Sequence, residues 1–255
     1  MTDSRYNTLL LIEGEEYEKR FFDKFKELIK TDKKILIVPF CNDIYELYKT
    51  IKDLGETTIV DALIEGNPRL SKQEIENLRK QKFVYKYLIF DLELHNASEN
   101  EFKENLGKAK EMLNIFDNET GDYGKLFINY PMMESYRHFK FKDDSTLKGK
   151  FVLANWDDLK NYKRRVGEEG TNLNTSEYNL NTYFLIAKAH VKQANLLLHN
   201  TFVRPTKNEL FEILDIKKIH QAQIKLFEDK NRILVLNTST FIYSEFYPQF
   251  ISGNW

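Results

Sequence analysis

Short apolar runs that alternate with stretches of helical period constrain this chain most. Residues 9–12 (LLLI), 35–38 (ILIV), 85–90 (YKYLIF) and the segment KLFINYP are each too short for a helix and are aliphatic or aromatic almost throughout. Runs of that kind suit strands buried on both faces. Between the first two, residues 15–29 place Phe21, Phe22, Phe25, Leu28 and Ile29 at the three- and four-residue spacing of one helix face. Residues 44–51 read as a short amphipathic helix and residues 57–60 as a further short strand. Ser71 opens a charged helix reaching about residue 80, with Glu74 at the capping-box position. Another helix follows a polar loop and runs to about residue 116. Strands and helices in this alternation predict an α/β fold with a mostly parallel sheet flanked by helices.

The rhythm changes after about residue 151. Residues 177–199 read as one long helix, residues 208–228 as another, and RILVLN as a last strand before an aromatic tail. The expected division is an α/β domain over 1–150 and a mainly helical C-terminal region over 151–255. No internal repeat, low-complexity stretch or Gly/Ser linker interrupts the chain.

With 255 residues, 42% of them hydrophobic, the chain can bury a substantial core. A formal net charge of −1 gives no global basic field. That leaves a nucleic-acid enzyme open, because metal-binding carboxylates offset basic groups in a whole-chain sum. Cys41 is the single cysteine, which excludes disulfides and cysteine-rich zinc modules and points to a reducing compartment. No signal peptide is read ahead of the first strand, and no apolar run approaches membrane-spanning length, so a cytoplasmic location without membrane contact is expected.

In an open parallel sheet, ligands bind beyond the carboxyl ends of the strands. Glu13 lies at that end of the first strand. Asp91 and Glu93 lie at that end of the YLIF strand, two residues apart and so on one face if the strand persists. Three carboxylates packed together repel and take up protons unless a divalent cation neutralises them. Magnesium suits a few carboxylates, retained waters and substrate phosphate oxygens. Gly14 lets the backbone approach closely at the following turn.

These residues carry a resemblance. LLLIEGEEYEKRFF resembles the first motif of the TOPRIM domain, a strand ending in Glu-Gly before a helix, in the form found in RloB-like and OLD-type nucleases of bacterial phage defence. YLIFDLE is similar to the second motif, which is usually Asp-x-Asp after an apolar strand. The resemblance covers roughly the first 140 residues. It implies a TOPRIM-like sheet and a metal-dependent nuclease, using Mg2+ or Mn2+, that cleaves DNA or RNA phosphodiesters in antiviral or abortive-infection defence. Glu13 matches the motif's glutamate, Asp91 its first aspartate and Glu93 its second, one methylene longer than usual; these three would hold the metal. Glu18 matches an additional acidic position, whereas Glu15 and Glu16 read as ordinary first-turn acids.

A third segment, GKLFINYPMMESYRHF, offers Glu134 to complete the metal site or support a second one, and Lys125, Arg137 and His138 to meet phosphate, although His138 reads more readily as a packing or surface histidine and Lys125 as a solvated strand-start lysine. Glu134 and Lys125 are the candidates for proton transfer and charge stabilisation. In KNYKRR, Lys163, Arg164 and Arg165 are candidates for the nucleic-acid backbone, with Trp156 and Tyr162 nearby for stacking. His190, on the apolar side of its helix, reads as a core residue, and His95 as a loop histidine. The competing reading is a non-catalytic nucleic-acid or effector-binding subunit that works with a partner such as an ATPase. Self-association is compatible with both.

Overall fold

The structure, a computed structural model, describes residues 7–29, 31, 33–92 and 99–247. The chain is α/β and divides into two compact units. Described residues up to Phe90, with Glu111–Phe127, make the first; Asp91–Lys110 and those from Ile128 onward make the second. The expected boundary near residue 151 falls inside the second unit.

In the first unit, β1 (Thr8–Ile12) lies between β2 (Ile35–Pro39) and β3 (Tyr85–Asp91) and is parallel to both, Ile12 standing level with Pro39 and with Ile89. A two-residue β4 (Asp117–Asn118) pairs antiparallel with β5 (Gly124–Tyr130), and the strand order is β2-β1-β3-β5-β4. All five residues of β1 are buried, as expected of an inner strand covered on both faces. Pro39 is tolerated in β2 because it closes a strand at the sheet edge, where its missing N–H breaks no ladder. Gly124 is required where β5 begins: its φ is +83°, and a Cβ there would stand 2.7 Å from the Lys86 carbonyl oxygen.

The helices of this unit are α1 (Tyr17–Leu28), α2 (Ile44–Leu54), α3 (Ile59–Gly66), α4 (Lys72–Lys80) and the last residues of α5 (Glu99–Ile115). α1 buries Phe21, Phe22 and Phe25, and Ser71 and Glu74 form the expected reciprocal cap of α4. Residues 57–60 are not the expected strand. Thr58 and Asp61 cap each other's backbone, which starts α3, and Ile59, Ala62 and Leu63 supply its buried face. The cap outweighs the β-branched character of the segment.

In the second unit, β6 (Phe151–Leu153) pairs antiparallel with β7 (Arg232–Leu234), and the end of β5 pairs antiparallel with β8 (Leu236–Asn237). Its helices are α6 (Trp156–Lys160), α7 (Tyr162–Glu169), α8 (Leu180–His199), α9 (Lys207–Ile213) and α10 (Ile216–Lys230). The expected single helix over 208–228 is two, because the Asp215 side chain accepts from the Lys217 N–H and restarts the helix as α10.

Buried polar side chains tie α8 and α10 to their surroundings. His190 accepts the Asn237 N–H at Nδ1 (3.1 Å), so its Nε2–H donates to the Tyr136 carbonyl (3.2 Å). It is the satisfied core histidine expected. His220 pairs through Nδ1 with the Tyr130 hydroxyl (2.9 Å) and through Nε2 with the Leu106 carbonyl (2.9 Å). Among the described residues no helix is long and apolar enough to cross a membrane.

Candidate functional site

Glu13 directly follows β1, and its backbone is held from both sides. Its N–H donates to the Ile89 carbonyl of β3 (3.2 Å), and its own carbonyl accepts the Cys41 N–H beyond β2 (2.9 Å). Gly14 then gives its N–H to the Glu18 carboxylate, which is buried against the turn. Glu18, matched above to an acidic motif position, therefore braces the turn that presents Glu13. A Cβ at residue 14 would stand 3.3 Å from that carboxylate. Glu15 turns elsewhere, accepting from the Cys41 thiol (2.9 Å) and pairing with Arg69 (2.8 Å). Burial and the neighbouring Glu15 carboxylate push the Cys41 thiol up to about 11, so it is not a nucleophile at neutral pH. Glu16 is an exposed first-turn acid near Arg20.

Asp91 closes β3, and in the second unit its Oδ1 accepts from the Asn129 side-chain amide (3.2 Å), while Leu92 N–H donates to the Asn129 carbonyl (3.1 Å). One residue of β5 thus fixes both the backbone and the carboxylate at this strand end. Glu134 sits in a 3-10 turn, Met133–Arg137, with its side chain largely buried and 3.1 Å from Lys163 Nζ. Tyr162 is fully buried, and burial together with the charges of Glu134, Glu169 and Asp91 raises its phenol well above the ordinary value. Two carboxylates singled out in the sequence therefore bear on one phenol.

The phenol belongs to a relay. His138, fully buried, meets the Tyr162 hydroxyl at Nδ1 (3.0 Å) and the Glu169 carboxylate at Nε2 (3.1 Å). Burial raises the Glu169 carboxyl, but hydrogen bonds from Lys150 (2.7 Å), His138 and Arg165 (2.9 Å) outweigh it and hold the group at about 2. Burial lowers His138 to about 4, and it is neutral near pH 7. An ionised carboxylate only accepts, so Nε2 carries the imidazole proton and Nδ1 accepts from the tyrosine. The chain of donors runs from Tyr162 through His138 to Glu169.

The other sequence candidates divide. Lys125 is the second residue of β5, and that end of β5 lies beside Lys86 near the start of β3. It stands at the amino ends of these strands, away from the end at which Glu13 follows β1, which removes it from the expected catalytic group. Glu93 and His95 lie outside the described residues. Among the described residues no three His, Cys, Asp or Glu side chains gather to hold an ion. Lys163 and Arg164 are exposed, but Arg165 points inward and donates to the Glu169 carboxylate and the Phe151 carbonyl (2.8 Å). Arg137 donates to the Thr171 carbonyl (3.4 Å). Sequence reasoning missed Asn129 and Glu169. Tyr162 was read as a stacking aromatic and His138 as a packing or surface histidine that could meet phosphate, with nothing local to pair them.

Compared with known protein families, curated proteins and solved structures, the chain matches none.

Proposed function

We propose that this chain is a metal-dependent nuclease with a TOPRIM-like sheet, cleaving nucleic-acid phosphodiesters in bacterial antiviral or abortive-infection defence. One observation carries the reading: β1 and β3 are parallel neighbours, Glu13 follows the first and Asp91 ends the second. That is the end of a parallel sheet at which ligands bind. The motif resemblance supplies the class of chemistry.

The donors are hard carboxylate oxygens and so fit Mg2+ or Mn2+. Glu13, Asp91 and Glu93 would hold the ion. When bound, the ion polarises the phosphodiester and stabilises charge on the leaving oxygen. Asn129 fixes the rotation of the Asp91 carboxylate. Glu134 receives the proton of the attacking water, with Lys163 orienting it. The relay of Tyr162, His138 and Glu169 is buried within reach of the charges of Asp91 and Glu134.

The test is cleavage of single- and double-stranded DNA and RNA by purified protein, with and without Mg2+ or Mn2+, beside Asp91→Asn. The expected result is metal-dependent cleavage by the parent and none by a variant that melts at the same temperature. Cleavage by Asp91→Asn at the parent's rate would remove this carboxylate from the site. Binding without cleavage by the parent would favour the non-catalytic subunit.

A further inference from the structure

A cavity of about 490 Å3, wholly within the second unit, opens between the loop that carries Phe139 and Phe141, one stripe of α8 and the segment after α8. Its floor is Phe139, Phe141 and Leu185, and its cations come from all three segments: Lys142, Lys188 with Lys192, and Arg204. Leu185, Lys188 and Lys192 follow the three- and four-residue spacing of one helix face, so the fold directs them to the same space.

The two carboxylates that line this cavity are already engaged. Asp144 binds Lys192 (2.6 Å) and ties the loop to α8. Asp143 accepts from the Ser145 N–H (3.1 Å) and hydroxyl (2.6 Å), capping the following turn. Lys142 and Lys188 pair with no carboxylate among the described residues. The balance of charge facing the cavity is therefore positive. Phe141 is half-buried and held by T-shaped contacts with Phe139 and Tyr178, their ring centroids 5.2 and 6.2 Å away.

We propose that this cavity binds a phosphorylated nucleoside, either a free nucleotide or the terminal nucleotide of a single strand, with phosphate held by Lys142 and Lys188 and the base laid on Phe141. The volume suits a ligand of that size. Dispersed cations around an aromatic floor match a ligand whose charge and planar ring are separate. The inference goes beyond the nuclease reading, because binding here needs neither metal nor cleavage.

Calorimetric titration in EDTA tests it, using inorganic phosphate, ATP and an octathymidylate as probes. The parent should bind ATP or the oligonucleotide more tightly than phosphate; the tighter of the two identifies the source of the nucleotide. Lys188→Glu should weaken that binding about tenfold or more, the loss of one charge-assisted hydrogen bond. Lys72→Glu, on exposed α4 in the first unit, should leave it unchanged. Phe141→Leu should lose the preference for nucleotide over phosphate while keeping phosphate affinity, which separates ring recognition from loosened packing. The proposal is overturned if the parent binds neither nucleotide probe, if phosphate binds as tightly as both, or if Lys188→Glu and Lys142→Glu each bind like the parent.

Discussion

Three histidines buried as neutral rings should make the second unit acid-labile well above the range where carboxylates titrate. Burial lowers His138 to about 4, His190 to about 3 and His220 to about 4, against an ordinary value of 6.5. The charges of Lys150 and Arg165 add to the lowering at His138 and that of Lys110 at His220; the Glu169 hydrogen bond opposes it at His138 without reversing it. Each folded-state value lies below the unfolded one. The stabilisation is therefore complete above about pH 6.5 and is lost as the pH falls toward 4. Between about pH 7 and pH 5, each ring binds nearly a full proton only in the unfolded chain, costing about 2 kcal/mol apiece and about 6 kcal/mol together. A domain has about 5–15 kcal/mol of stability in all, so a loss of this size is a large fraction of it.

The assay is urea unfolding followed by circular dichroism at about pH 7, 6 and 5. The midpoint should fall steeply across that series. His220→Gln keeps a donor for the Leu106 carbonyl and an acceptor for the Tyr130 hydroxyl but cannot titrate. It should remove about one third of the pH dependence, whatever it does to stability at neutral pH. A midpoint that stays level down to about pH 5, falling only where Asp and Glu protonate, would refute the reasoning.

Arg165→Gln should lower stability by about 2 kcal/mol in urea melts, since it removes charge-assisted bonds to Glu169 and the Phe151 carbonyl. Arg164→Gln, on the exposed face, should change it by less than about 0.5 kcal/mol. Gly124→Ala should cost about 3 kcal/mol or prevent folding, because it forces a left-handed backbone and a Cβ against the Lys86 carbonyl; a parent-like melting temperature would contradict that geometry. Charge reversal at Lys163 and Arg164 together should weaken nucleic-acid binding and reduce its salt slope by about 2, as measured by titration at several salt concentrations; unchanged binding would assign both to solvent.

The strands were legible because the first of them, LLLI, is apolar throughout, and a run buried on both faces needs no partner to be recognised. The Ser71–Glu74 cap was legible for the same local reason. Residues 57–60 misled because TTIV has strand composition, while the deciding interaction is a side-chain cap between Thr58 and Asp61. Glu13 and Asp91 could be found at strand ends, since a carboxylate after an apolar run is a local signal. The relay could not: Tyr162 lies 24 residues from His138 and Glu169 lies 31 from it, and only the fold joins them. Lys125 was misplaced because proximity to an apolar strand says nothing about which end of the sheet a side chain occupies.

The basic residues make the same point about distance in sequence and in space. Lys163, Arg164 and Arg165 are consecutive on α7, and consecutive helical residues point about 100° apart, so a run of three cannot serve one face. The third of them is accordingly turned inward to Glu169 and the Phe151 carbonyl. Lys142, Lys188 and Arg204 are far apart in the chain and form no charge run, yet one cavity gathers them because a loop, a helix stripe and a post-helix segment meet there. A charge run on a short helix spreads its cations around the axis, whereas convergence requires helical spacing within an element or tertiary contact between elements. The conspicuous run contributes one structural arginine, one lysine paired with Glu134 and one exposed arginine.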